Sequence, residues 1–218
     1  MRYLTVRAEA AGTGPLHPLG EALGEATSFA REAIHHVELL DDDTVLMLAE
    51  GSGDQSSYIE VMQASPYVKE FLVSGTERWM AVTQFELSPP TAELMRRGDR
   101  PGIVVDTPIQ INADGSLRIT YLGDELDLQD LFDSLTDDAP FEIEVLETGS
   151  YSPDQHALTR LLTARQREVL ETALDVGYYE LPREATHESI AEQLDIAPTT
   201  AGEHLRKIER RVFTAIVQ

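Results

Sequence analysis

Apolar and polar positions along the first 150 residues switch between two periods. Tyr3 to Ala8 alternates as a short strand does, whereas Leu19, Leu23, Ala26 and Ala30 recur at helical spacing and predict a helix over Leu16 to Arg31. Strands over Ile34 to Leu40 and Val45 to Glu50 follow, joined by Asp41-Asp42-Asp43, a hairpin signal. Asp54 to Ala64 reads as a helix with Tyr58, Val61 and Met62 on one side, and Val68 to Ser74 as a strand. The pattern then recurs. Trp79 to Glu86 is a strand, Pro90 to Arg97 a short helix with proline at its start, and Ile103 to Ile111 a strand interrupted by Pro108. Asn112-Ala113-Asp114-Gly115 is a turn, Leu117 to Leu122 pairs back, Leu126 to Leu135 is an amphipathic helix and Phe141 to Leu146 a strand. Each run is βαββαβ, and Ser65-Pro66-Tyr67 before one closing strand parallels Ala139-Pro140-Phe141 before the other. The expected fold class is therefore α+β: tandem ferredoxin-like modules side by side over residues 1–149, followed by an all-α domain.

Gly149 to Leu158 is rich in Gly, Ser, Pro and Asp, which predicts a linker over about residues 150–161 and a second domain over 162–218. Thr163-Ala164-Arg165-Gln166 has the spacing of a capping box, so Thr163 is expected to start a helix whose buried face carries Val169, Leu170 and Ala173. Gly177 ends it, and a connector from Tyr178 to Thr186 contains Pro182. His187 to Leu194 is a short helix facing Ile190, Ala191 and Leu194 inward. Asp195-Ile196-Ala197 is a turn, with aspartate at a position needing positive φ, which aspartate tolerates. Pro198 opens the next helix, where its missing N–H costs nothing. Ala201, Leu205, Ile208, Val212 and Phe213 form that helix's inner stripe. A small residue at Ala191 lets two helices cross closely, and this is the layout of a helix-turn-helix.

The outer side of the last helix carries Thr199, Thr200, Gly202, Glu203, Arg206, Lys207 and Arg210. Threonine can bond base edges or touch a thymine methyl, glutamate can accept from cytosine, and arginine can grip guanine or a phosphate. Thr163, Arg165 and Ser189 complete the candidate contacts to double-stranded DNA.

Charge at first argues the other way. The chain has 17 Lys+Arg against 39 Asp+Glu, net −22, and only Lys69 and Lys207 are lysines. Dense carboxylates with few lysines fit a surface kept hydrated in concentrated salt, where repulsion is screened over a few ångströms; an ordinary acidic protein is the alternative. The acidity is uneven. Residues 159–218 hold 8 basic and 10 acidic residues, net −2, while residues 1–158 hold 9 and 29, net −20. The C-terminal region can therefore still meet a phosphate backbone.

The strings Leu162-Thr163-Ala164-Arg165-Gln166-Arg167-Glu168-Val169-Leu170, Gly177-Tyr178-Tyr179, Pro182-Arg183-Glu184-Ala185-Thr186 and Glu203-His204-Leu205-Arg206-Lys207-Ile208-Glu209-Arg210 resemble the bacterio-opsin activator type of helix-turn-helix, a group of haloarchaeal regulators. Pro18-Leu19-Gly20-Glu21-Ala22-Leu23, Ser65-Pro66-Tyr67-Val68-Lys69-Glu70 and the strand at Trp79 resemble the domain that accompanies it. The resemblance implies sequence-specific transcription regulation. Family members often add PAS or GAF sensor domains, for which this length leaves no room.

Other functions find little support. With no cysteine there is no disulfide, thiolate zinc site or cysteine nucleophile, in keeping with a cytoplasmic protein. No apolar run is long enough to span a membrane. His35 and His36 are neighbours in a strand and point to opposite faces, against a shared metal. Gly51-Ser52-Gly53-Asp54 and Gly12 to Gly20 could cradle an anion, but without a lysine or longer glycine spacing they read as ordinary loops. Trp79 is expected in the core. The acids from Asp124 to Asp133 read as a solvated helix face. No nucleophile–base pair emerges, so no enzyme, cofactor or metal is expected. The expected partners are a second copy of the chain, with paired half-sites on DNA, the basal transcription machinery, and a small-molecule effector; a sensor acting mainly through protein partners is the rival function.

Overall fold

The computed structural model describes residues 1–11, 16–42, 44–151 and 162–217, in two compact units, Met1–Tyr151 and Ser152–Gln218. In the first unit the elements run β1 (Arg2–Ala10), α1 (Pro18–Glu25), β2 (Phe29–Leu39), β3 (Thr44–Gly53), α2 (Gln55–Ala64) and β4 (Val68–Gly75). They continue as β5 (Arg78–Glu86), α3 (Pro89–Gly98), β6 (Val104–Ile111), β7 (Leu117–Gly123), α4 (Glu125–Thr136) and β8 (Phe141–Ser150). Side chains start each helix: the His17 ring accepts from Leu19 N–H, Asp54 from Ser56, Ser88 from Thr91, and Asp124 from Leu126 and Asp127.

Several boundaries differ from expectation. The helix predicted over Leu16 to Arg31 stops at Glu25, because Ala26 turns to extended backbone and Phe29 enters a strand opposite Gly53. Pairing with a neighbour over this stretch outweighs the helical spacing of Ala26 and Ala30. β8 runs on to Ser150 because β1 pairs with it along its whole length. Pro108 interrupts β6 as expected, at a register shift between Asp106 and Gln110 against β7.

All eight strands form one antiparallel sheet in the order β4-β5-β3-β2-β6-β7-β1-β8. This departs from two self-contained modules side by side. β5 lies between β4 and β3, and β1 lies between β7 and β8, so each half of the sheet takes one strand from the other run of the chain. The hairpin after β4 explains the exchange. Gly75, at φ +118°, closes a short loop that sets it opposite Trp79, and a Cβ there would lie 2.4 Å from the Arg78 carbonyl oxygen. So short a connection makes β5 the neighbour of β4. The halves join at β2 and β6 through the pairs Ala33–Gln110 and Ile34–Ile109.

Two apolar clusters result. One gathers α1 and α2 against β5 around Trp79, Tyr58 and Met62. The other packs Leu128, Leu131 and Leu135 of α4 on Val6, Ile119 and Tyr121. Leu131 and Leu135 are fully buried, each contributing about 1.5–3 kcal/mol relative to an exposed side chain. The second unit consists, among the described residues, of α5 (Ala164–Asp175), α6 (His187–Leu194) and α7 (Pro198–Val217). Residues 12–15, within the Gly12 to Gly20 loop, Asp43 of the β2–β3 hairpin, and residues 152–161, most of the expected linker, lie outside the described residues.

Candidate nucleic-acid interface

Short-range hydrogen bonds build the helical unit. The Thr163 hydroxyl accepts from Gln166 N–H while the Gln166 side chain accepts from Thr163 N–H, the capping box the sequence predicts. The same Gln166 oxygen accepts from Arg211 at 3.0 Å, tying the start of α5 to the far part of α7. Gly177 adopts φ +81° and ends α5, with Tyr178 N–H bonded to the Ala173 carbonyl.

The connector is pinned by contacts among Tyr178, Arg183 and His187, residues to which the sequence alone assigned no such role. The Tyr178 ring stacks on His187 with centroids 5.3 Å apart, its hydroxyl lies 2.9 Å from His187 Nε2, and the Arg183 guanidinium sits 4.1 Å from the Tyr178 ring centroid. A tyrosine, an arginine and a histidine around a proline-containing connector were the available signal. They set the position from which α6 starts.

α6 ends at Asp195, which adopts φ 51°, ψ 49°, and Ile196 N–H returns to the Ala191 carbonyl at 3.1 Å. That left-handed residue turns the chain into α7 within three residues. Ala191 is buried at the crossing, where Ile190, Ala201, Leu205 and Ile208 close the core with Val169 and Ala173 of α5. Phe213 does not join this stripe. It is 62% exposed, because the partners that cover Ile208 give out before the last turns of α7.

Burial of Ala201, Leu205 and Ile208 decides what faces outward. Thr199, Glu203, Arg206, Lys207 and Arg210 are exposed and Thr200 is half-buried. Thr199, Glu203, Arg206 and Arg210 follow one another at intervals of four, three and four residues, one side of an α-helix. Gly202 stands apart from them, since a Cβ there would meet the His187 ring at 3.3 Å. It accommodates α6 rather than presenting a contact surface.

Three further candidates have structural employment. The Thr163 hydroxyl accepts in its cap, and the Ser189 hydroxyl accepts from Thr186 N–H at 3.2 Å. Arg165 contacts Glu168 at 2.5 Å and the Leu194 carbonyl at 3.4 Å, placing its guanidinium beside the turn that leads into α7.

The electrostatics of α7 are distinctive for so acidic a chain. Among the described residues, Arg206, Lys207 and Arg210 enter no ion pair. Glu209, which could neutralise them, instead accepts from the Tyr179 hydroxyl at 3.3 Å. Burial, with Glu209 alongside, pushes the Tyr179 hydroxyl up to about 12, so it stays a donor. The outcome is a helix side with three available cations, two threonines and one carboxylate, the chemistry that base edges and phosphates require.

Comparison with known proteins agrees with this geometry. The N-terminal domain family HVO_0513_N matches residues 17–151, and the HTH DNA binding domain family matches residues 162–214. A putative transcriptional regulator of Haloferax volcanii is 52% identical over 59 residues, 27% of this chain and 10% of that protein. The dimethyl sulfoxide reductase transcriptional activator of the same species is 28% identical over 181 residues, 83% of this chain and 76% of the relative. The bacterioopsin transcriptional activator of Halobacterium salinarum is 37% identical over 57 residues, 26% of this chain and 8% of its own length. The match thus spans only about a tenth of the first and last of these relatives. No solved structure matches. The chain belongs to the HVO_0513_N family, and its C-terminal unit is a helix-turn-helix of the bacterio-opsin activator type.

Proposed function

We propose that the protein is a sequence-specific transcription regulator of a halophilic archaeon that reads double-stranded DNA with α7. One observation carries this reading: in a chain of net charge −22, three cations without ion pairs among the described residues stand with Thr199 and Thr200 on the outward part of a short-turned helix pair. Thr199, Thr200, Glu203 and Arg206, in the first turns, meet base edges, while Lys207, Arg210 and Arg165 meet phosphates. Thr163 and Ser189 hold the starts of α5 and α6 and approach the backbone. Concentrated salt weakens counterion release, so base contacts carry an unusual share of the affinity.

The remainder of the reading is organisational. Residues 1–149 form a regulatory and dimerisation domain of two ferredoxin-like units that have exchanged their first strands, joined through residues 150–161 to the DNA-binding domain at 162–218. A homodimer would address two half-sites about one helical turn apart, recruit the basal transcription machinery and respond to a small molecule bound by the N-terminal domain. The protein acts in the cytoplasm and catalyses no reaction; no helix among the described residues is long and apolar enough to cross a membrane. A second reading, a sensor working mainly through protein partners, draws on the exposed Phe213, Ile216 and Val217 at the end of α7.

Joint substitution of Thr199, Thr200 and Arg206 by alanine separates the two. Each lost base contact costs about 1–3 kcal/mol of discrimination, so the discrete footprint on promoter DNA should vanish while the fold, followed by circular dichroism, persists. Promoter occupancy unchanged in the triple variant would favour the partner-mediated reading instead.

A further inference from the structure

The N-terminal unit contains a cavity of about 1030 Å³. It opens where the two helix pairs part. α1 packs on α2 and α3 on α4, and the cavity lies between α1 and α3, over the β2–β6 seam. Leu19 and Leu23 of α1 form one wall and Leu94 and Met95 of α3 the other, while Ile34 and Ile109, paired across the seam, form part of the floor. A volume of this order is at the upper end of small-molecule sites, typically about 300–1,000 Å³ and mostly apolar with few polar groups.

One charged side chain in the lining is out of place. Arg31 of β2 reaches along the cavity so that its guanidinium lies 3.5 Å and 3.7 Å from where Cβ atoms would stand on Gly20 and Gly24 of α1, and 3.6 Å from that of Gly115 in the β6–β7 turn. The guanidinium thus lies along α1, within contact range of two positions one turn apart. Arg31 forms no hydrogen bond or ion pair with any described residue. Other carboxylates line the cavity, Glu21 and Glu25 of α1 among them, but no described one bonds Arg31; Asp114 is held by Arg7 and Ser116, and Glu50 by Arg78 and His35. Burial pulls the guanidinium's pKa down from its ordinary value, yet arginine does not give up its proton in proteins. A desolvated cation without a partner is costly, and an anion arriving in the cavity removes that cost.

We propose that this cavity binds an amphipathic organic acid, its carboxylate paired with Arg31 and its apolar body lying between the α1 and α3 walls over the seam. The floor joins strands of both halves of the sheet, so an occupant bridges the two helix pairs and would alter how they pack. This deepens the reading of the N-terminal domain as a sensor and gives that sensor its ligand class. Occupancy itself is independent of DNA.

The protein carries its own reporter, since its single tryptophan, Trp79, lines the cavity and is 2% exposed. The full chain in molar KCl is titrated with decanoate and 4-phenylbutyrate, with decanol and 4-phenylbutanol as neutral counterparts and inorganic phosphate as an anion without an apolar body. Trp79 emission and calorimetry are the readouts. At least one acid should saturate the protein, at least tenfold tighter than its alcohol, and the better acid tells an aliphatic from an aromatic occupant. Arg31→Gln should weaken that acid at least tenfold and leave the alcohol within about threefold, with Arg31→Lys in between. Val37→Phe, which fills the space where both apolar clusters meet, should abolish both. Thermal melts check that the variants fold. The proposal is overturned if neither acid saturates, if Arg31→Gln binds the acid as well as the unaltered chain, or if phosphate binds as tightly as the acids. Because these titrations contain no DNA, a failed footprinting experiment leaves their outcome intact, and the converse also holds.

Discussion

Gly51 is the most exacting position in the N-terminal unit, and Gly51→Ala makes its role measurable. A Cβ at residue 51 would lie 2.2, 2.4 and 2.7 Å from three carbons of the Trp79 ring, where carbon–carbon contacts are optimal at about 3.5–4.0 Å. The overlap therefore exceeds 1 Å by rough comparison with that optimum, and it falls on a rigid ring rather than on the end of a flexible chain. Tyr58 lies against the indole with centroids 4.2 Å apart and Phe29 meets it edge-on at 6.2 Å, so relief requires the ring to shift toward the cavity it lines. Overpacking by one methyl typically costs about 1–3 kcal/mol, and this geometry belongs at the upper end. Replacing a strand glycine returns about 0.5–1 kcal/mol of backbone entropy. The net expectation is a loss of about 2 kcal/mol, which in a unit of this size lowers Tm by roughly 4–8 °C. Trp79 emission followed through thermal unfolding in molar KCl reports this unit alone. In a Trp79→Leu background, followed by circular dichroism because no tryptophan remains, Gly51→Ala should cost less, since the ring it meets is gone. A melting temperature for Gly51→Ala within 1 °C of the unaltered chain, with unchanged emission, would refute the steric reasoning.

Two further outcomes are expected. His17 is held neutral, with Nδ1 accepting from Leu19 N–H and Nε2 donating to the Glu86 carbonyl at 2.7 Å, and burial lowers its pKa below 6.5. The unfolded chain then takes up the proton first, so the stabilisation from neutral His17 is complete above pH 6.5 and is lost as pH falls toward the folded value. Guanidinium unfolding at pH 7.5 and 5.5 should show this drop, and His17→Asn should shrink it. Asp195→Gly, at the left-handed residue between α6 and α7, should stabilise the C-terminal unit by about 0.5–1 kcal/mol in thermal melts, because glycine adopts positive φ without a Cβ clash. DNA affinity should stay within about twofold, since the turn keeps its shape.

The helix-turn-helix was legible because every signal for it acts within a few residues. Thr163 with Gln166, Gly177 after Asp175, Asp195 at positive φ and Pro198 opening α7 each close a hydrogen-bonded ring or fill a backbone position locally. Once Ala201, Leu205 and Ile208 turn inward, helical geometry sends Thr199, Glu203, Arg206 and Arg210 outward. The exposure of Phe213 was not legible for a different reason: whether a residue at the margin of a helix stripe is covered depends on the helix opposite.

In the N-terminal unit the chain order of strands and helices was equally readable, since periods of two and near four are properties of each segment. Which strand lies beside which is not such a property. An edge strand can pair with any partner that presents free N–H and C=O groups, and here the short Gly75 hairpin assigns β5 to β4 and leaves β1 to the other half. The lone Arg31 in its cavity is decided at the same level. Nothing near it in sequence says that it lacks a carboxylate partner among the described residues, because that depends on how α1, β2 and the β6–β7 turn converge. Local hydrogen bonding and periodicity are written residue by residue; strand partnership and the surroundings of a charge arise only when distant segments meet.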